Sequence, residues 1–140
     1  MRVEILPMAA GDHAEVVTLW ERCEGIGLSE ADGPTSIEQF IERNPGMCFV
    51  ARDEGALVGA VLCGHDGRRG YIHHLAVAES YRRNGLGSSL TERCLDELRA
   101  LGIAKCHLFV FRGNQSALDF WRKAGWFERS ELTIMSKYTT

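Results

Sequence analysis

Val3 and Ile5 alternate with polar neighbours at the start of the chain, a period of two that predicts a short strand over residues 2–6. The period then lengthens. Asp12 and Glu15 have the spacing of a capping box, and Val16, Val17, Leu19, Trp20 and Cys23 fall on one face of the helix that would follow. Gly25 and Gly27 end that helix, and a polar loop with Glu30 and Asp32 leads to a second cap signal at Thr35-Ser36-Ile37-Glu38. Ile37, Phe40 and Ile41 give the second helix its apolar side, and Asn44-Pro45-Gly46 stops it. Apolar runs at 47–52 and 56–63, either side of Asp53-Glu54-Gly55, predict a hairpin, with Gly59 marking a bulge or a close backbone approach. A turn at Asp66 to Gly70 feeds a third meander strand over 71–78. Leu90, Cys94, Leu95, Leu98 and Leu101 then recur at helical spacing, with Gly102 suited to the C′ position. An apolar run at 106–111 predicts another strand, Asn114 caps a short helix carrying Ala117, Leu118, Phe120 and Trp121, and Gly125 ends it. Residues 126–128 and 132–137 predict two closing strands.

The predicted order is β-α-α-β-β-β-α-β-α-β-β, an α/β class (α+β) with one sheet. A helix joining the strand at 71–78 to the strand at 106–111 makes that pair parallel, while the preceding meander is antiparallel, so the sheet is mixed. No repeat, low-complexity tract or linker interrupts residues 1–140, which predicts a single domain.

Composition narrows the functional classes. A net charge of −3 argues against a general nucleic-acid binder or a binder of anionic membranes, since either wants a basic surface. The five cysteines, Cys23, Cys48, Cys63, Cys94 and Cys106, are widely spaced with no C-x-x-C, which predicts buried free thiols, no disulfide framework and no metal site. Residues 1–5 lack a signal-peptide apolar run, and no stretch has the length of a membrane span, so the expectation is a cytoplasmic chain.

The chemistry centres on the stretch from Ala76 to Leu90, a strand end, a glycine-bearing turn and a helix start. Gly85 and Gly87 allow a sharp turn and a close ligand approach. The helix start offers unpaired N–H groups and the positive end of a dipole, which together make a phosphate cradle. Arg82 and Arg83 add positive charge beside it. A Walker loop would need Gly-Lys-Ser/Thr, and a dinucleotide fingerprint would need a third glycine where Leu90 stands, so neither fits.

Arg82-x-x-Gly85-x-Gly87 resembles the pyrophosphate loop of the GNAT acetyltransferase superfamily. The strand exit at Leu75-Ala76-Val77-Ala78 and the run from Asn114 through Ala117, Trp121, Arg122 and Gly125 to Trp126 resemble two further signatures of that family. The element order matches over essentially the whole chain. Leu19 to Cys23 and Gly64 to Gly70 look like small bacterial members related to the ribosomal-protein acetyltransferases. The resemblance implies a GNAT fold with splayed fourth and fifth strands, and acetyl-CoA as co-substrate. It implies that backbone N–H groups of Asn84, Gly85, Leu86, Gly87 and Ser88 hold the pyrophosphate, with Arg82 and Arg83 alongside, Arg82 either at the phosphates or bracing the loop. Leu75, Ala76 and Val77 would pair their backbone with the pantetheine arm, and an N–H near Val77 would polarise the thioester carbonyl. Asn114 would contact the pantetheine or a water, or simply cap its helix, and Trp121 would line the thioester pocket or pack in a core.

The activity implied is transfer of an acetyl group to a primary amine on a small molecule or peptide, by direct attack in a ternary complex. His73 is the leading base, placed by strand alternation on the face of Tyr71, Leu75 and Val77, with His74 pointing the other way. Glu24 and Glu30 are candidates to bind the amine or relay its proton, and His107 is a further candidate base. Many members carry a Tyr where Trp121 stands, and an indole N–H is no general acid at neutral pH. Tyr71 and Tyr138 lack positional support as replacements. A non-catalytic acyl-CoA-binding module is therefore the alternative. The chain is expected to be a monomer or homodimer.

Overall fold

The computed structural model describes residues 2–140. A mixed sheet of five strands organises the part of the chain that ends at Phe109. In order, this part holds β1 (Val3–Pro7), α1 (His13–Arg22), α2 (Pro34–Arg43), β2 (Phe49–Asp53), β3 (Ala56–His65), β4 (Gly70–Val77), α3 (Leu86–Ala100) and β5 (Cys106–His107). The strands lie side by side in sequence order. They are antiparallel up to β4, and β5 runs parallel to β4 because α3 carries the chain back across the sheet.

The two faces are covered by different helices. Val16, Leu19 and Trp20 of α1 and Ile37 of α2 pack with Val50, Ala60, Leu62 and Ala76 from the strands. On the opposite face a Cβ on Gly59 would stand 3.0 Å from Leu90 Cδ1, and one on Gly70 would stand 2.5 Å from Leu98 Cδ1. Both glycines are there to let α3 lie close. Gly59 also sits where the β2–β3 register shifts, so the sequence signal at this glycine had two causes. Leu90, Cys94 and Leu98 are the buried side of α3, as their spacing predicts. Gly102 closes that helix at φ +76, with its N–H and that of Ile103 donating to Arg99 and Leu98 carbonyls.

Two cap signals and three strands expected from the sequence are corrected. Asp12 and Glu15 do not form a capping box, since Asp12 makes no side-chain cap hydrogen bond to α1. Both carboxylates instead receive the Arg52 guanidinium, at 2.7 Å and 3.0 Å, because its planar fork satisfies two acids at once. The second helix begins at Pro34, whose fixed φ suits the first helical position, and not on a Thr35 to Glu38 cap. The strand expected over 106–111 forms only at Cys106 and His107. Neither closing strand, 126–128 or 132–137, is formed among the described residues. Alternation makes a segment able to be a strand, but a strand exists only where a neighbour pairs with it.

Val110–Thr140 is a second compact unit. Its regular element is α4 (Gln115–Lys123), capped by Asn114 Oδ1, which accepts from Ala117 N at 3.2 Å. Trp121 stacks edge-on against Phe120 and Trp126, with centroids 4.9 Å and 5.3 Å away.

Leu90 has no exposed surface and fills the contact between α3 and the sheet. Leu90→Ala is expected to lower unfolding free energy by about 2–5 kcal/mol, and Leu101→Ala, at an exposed helix end, by less than about 0.5 kcal/mol, both read from urea denaturation.

Candidate active site

Strand β4 is built irregularly where the chemistry is expected. Ala60 pairs with Ala76 but Leu62 pairs with His73, so β4 carries one more residue than β3 across this span. The extra residue is a bulge, and His74 takes it up at φ +52, in the left-handed region. Alternation is broken there. Val77 pairs with Gly59 and so shares the α3 face, whereas His73 pairs with Leu62 on the face of α1 and α2. The expectation that His73 shares a face with Val77 therefore fails, and so does the expectation that His74 points away from His73. The ring of His73 lies 6.2 Å from Phe40 of α2, and that of His74 lies 4.9 Å from Trp20 of α1.

The bulged strand has one open edge. β5 pairs with β4 only at Gly70 and Tyr71, so the fourth and fifth strands part from Ile72 onward. Ala78 N donates to Val58 O at 2.8 Å, which makes the preceding pair, Val77 with Gly59, one whose backbone groups face away from each other. The N–H and C=O of Val77 thus lie on the open edge. The carbonyl accepts from Arg82 Nε at 2.9 Å and from the Cys23 thiol at 3.9 Å.

The cradle follows directly. Arg83 at φ +68 and Gly85 at φ +78 turn the chain into α3, where Gly85 occupies the N-cap position. Ser89 N is the first to find an intrahelical partner, Gly85 O at 2.9 Å, so the N–H groups of Leu86, Gly87 and Ser88 are the unpaired ones at the positive end of the helix. A Cβ on Gly85 would meet nothing within 4 Å, so it is the backbone angle that calls for glycine here. On the α1 side, the segment from Ala78 to Arg82 walls a cavity of about 640 Å³. The loop is therefore held by ties more than by packing. The Arg82 guanidinium braces it, with Nη2 3.6 Å from Cys23 Sγ besides the bond to Val77. The Tyr81 hydroxyl donates to Asp53 Oδ2 at 2.6 Å, which raises the phenol and lowers the carboxyl relative to their ordinary values. In the sequence Cys23 is marked only by the apolar spacing of α1 and Asp53 only by its place in a turn, and no signal ties Tyr81 to either.

Around His73 the surroundings are aromatic. Its ring is stacked with Tyr71 at 6.4 Å and with Phe109 at 6.4 Å, and Tyr71 in turn lies 5.7 Å from His107. Burial, with a smaller push from neighbouring His74, holds the His73 imidazole below its ordinary value. At neutral pH the ring is uncharged. Glu24 lies exposed in the turn after α1, beside Cys23, at the loop end of β4; Glu30 is exposed in a 3₁₀ turn between α1 and α2. Asn114 and Trp121 belong to the second unit, in the cap and ring packing given above.

An open strand edge running into a glycine-capped helix start is a frame for an extended ligand that ends in phosphates. The sequence profile of the acetyltransferase (GNAT) family matches residues 13–126. The chain belongs to that family. Among its relatives, an acetyltransferase of Pectobacterium atrosepticum is 33% identical, covering 86% of this chain and 85% of its own. An acetyltransferase of Sodalis glossinidius is 30% identical, covering 96% of this chain and 94% of its own. Two solved structures show the same fold. The PaiA N-acetyltransferase of Thermoplasma acidophilum, in complex with coenzyme A, has a TM-score of 0.78 at 18% identity and covers 88% of each chain. An acetyltransferase of Streptococcus agalactiae has a TM-score of 0.79 at 21% identity, covering 97% of this chain and 91% of that one.

GNAT proteins use acetyl-CoA, and the residues here fit it: unpaired N–H groups for a pyrophosphate and an unpaired strand edge for an amide-bearing arm. Gly85→Asp is the sharpest probe of the cradle. Asp tolerates the left-handed angle better than most residues, so the fold should survive at a cost of about 1 kcal/mol. Its carboxylate would face the phosphates, and coenzyme A affinity by calorimetry is expected to fall on the order of 10²-fold or more. Unchanged affinity would remove the loop from the site.

Proposed function

We propose that this acetyltransferase moves an acetyl group from acetyl-CoA to a primary amine of a small molecule or peptide, by direct attack while both are bound. The observation that carries this reading is the open edge of β4 leading into the Gly85 cradle on one continuous stretch of chain. Bound acetyl-CoA supplies an activated acyl carbon and a thiolate leaving group. The protein's part is to bind, align and move protons.

Backbone N–H groups from Asn84 to Ser88 are proposed to hold the pyrophosphate, with Arg83 adding charge and Arg82 acting as brace. Leu75, Ala76 and Val77 would pair with the pantetheine amides, and the N–H of Val77 would donate to the thioester carbonyl as it gains negative charge. His73, kept neutral by burial, would accept the proton of the attacking amine directly or through water. Glu24 is proposed to attract a cationic amine or relay its proton from the exposed turn. The family profile runs across Phe109, which supports reading the chain as one acetyltransferase domain. Five free thiols favour a reducing, cytoplasmic setting. The net charge of −3 favours a small or peptide acceptor over nucleic acid.

The second reading, a non-catalytic acyl-CoA-binding module, rests on Trp121, since its indole cannot protonate a thiolate. Thiol release from acetyl-CoA across a broad amine panel separates the two. Tight coenzyme A binding without release above background would favour the module.

A lowered His73 value sets the sign of the pH dependence. The neutral, base-competent ring persists below the ordinary histidine range, near 6.5, and is lost as pH falls through the lowered value. The acid limb of kcat/KM should therefore lie below that range. His73→Ala should lower kcat on the order of 10²-fold at neutral pH and less at high pH, where amines deprotonate unaided. A ratio that stays flat across pH would remove His73 as the base.

A further inference from the structure

The bulge in β4 brings a second imidazole to the acceptor side, and it is not idle. His74 Nε2 lies 3.0 Å from Asp32 Oδ1, with the two side chains 19% and 10% exposed. We propose that Asp32 and His74 form a clasp that positions the turn at residues 29–33 against the strand carrying the reacting centre. The clasp rests on the acetyl-transfer reading only where it concerns amine binding.

Both halves of the clasp are fixed independently. On the strand side, His74 sits at φ +52, which residues other than glycine rarely adopt. Its carbonyl accepts from Trp20 Nε1 at 3.0 Å, and its ring meets the Trp20 ring edge-on. On the turn side, Asp32 Oδ2 accepts from Ser29 N at 3.0 Å, and His13 Nε2 lies 2.8 Å from the Asp32 carbonyl oxygen. Asp32 is thus the point where the turn, α1 and β4 meet. Apolar packing does not hold the turn, since none of Glu30, Ala31 and Asp32 is buried and Leu28 to Ala31 are exposed; its side-chain tie to α2, from Ser36 Oγ to Glu30 O, is 3.4 Å long. Such a segment has a low opening free energy unless polar ties restrain it. His74 adjoins His73 in sequence, and the turn carries the exposed Glu30, so the clasp joins the proposed base to the segment expected to meet the amine. Asp32 and His74 are positioning residues on this account. A residue in the left-handed region is retained where the surroundings over-determine it, and here three elements do so.

Hydrogen exchange on the full chain tests the clasp, with His74→Ala, Asp32→Ala, the double variant and His74→Gln. His74→Ala should speed exchange within residues 28–33 by about 10-fold and leave α3 and β3 unchanged. The double variant should be no looser than Asp32→Ala alone, because that change already removes the clasp bond together with the tie to Ser29 N. His74→Gln, whose side-chain amide donates from near the position of Nε2, should restore most of the protection. Coenzyme A affinity should hold within about twofold, while the amine concentration for half-maximal thiol release rises about 10-fold in His74→Ala. Unchanged exchange in the turn, faster exchange throughout α3, a His74→Gln variant as loose as His74→Ala, or a loosened turn with unaltered amine demand would each overturn the proposal. Wild-type protein that releases no thiol with any amine would instead sink the acetyl-transfer reading, and the exchange contrast would still decide the clasp.

Discussion

Strand β4 is bonded to β3 along most of its length and to β5 only at its first two residues. The rest of the structure depends on that inequality. One side of the strand is anchored in the sheet, so its backbone is rigid. The other side is left with unspent hydrogen-bonding capacity, which is costly to bury without a partner and useful when a partner of extended shape arrives. A regular strand fully paired on both edges would be more stable and would bind nothing.

The bulge at His74 and the turn at Gly85 are the two places where the backbone leaves its common angles to serve that edge. At the bulge, one extra residue changes which face each side chain takes. His73 and His74 are both delivered to the side of α1 and α2, while Val77 is turned to the side of α3. At the turn, a left-handed glycine aims the first N–H groups of α3 outward. Between the two, Arg82 spans from the loop to Val77 and Cys23, and Tyr81 spans to Asp53. These ties join the loop to the strand, to the turn after α1 and to the end of β2, so the loop is fixed without a core of its own.

Much of this was legible in the residues. The amphipathic spacing of Leu90, Cys94 and Leu98, the glycine at 102 and the left-handed Gly85 before α3 act locally, and local effects can be read from neighbours in the chain. Gly59 announced an irregularity and a close approach, and both are present. The misreadings share one origin. Asp12 and Glu15 have the spacing of a cap, but Asp12 turns to Ala9 N and, with Glu15, to the distant Arg52, and gives no side-chain cap to α1. Residues 126–128 and 132–137 have the pattern of strands, but pairing is a property of two segments and cannot be seen in one.

The sequence by itself determined the class of fold, the apolar face of α3 and the glycine turns at its two ends, because periodicity and backbone angle act within a few residues. The tertiary structure alone decided which face His74 takes, what Arg82 braces, and that Tyr81 meets Asp53 and Asp32 meets His74. Those outcomes turn on a one-residue mismatch between two strands and on side chains brought together from far apart in the chain. Nothing in the local pattern records a register shift, because it exists only when β3 and β4 are laid side by side.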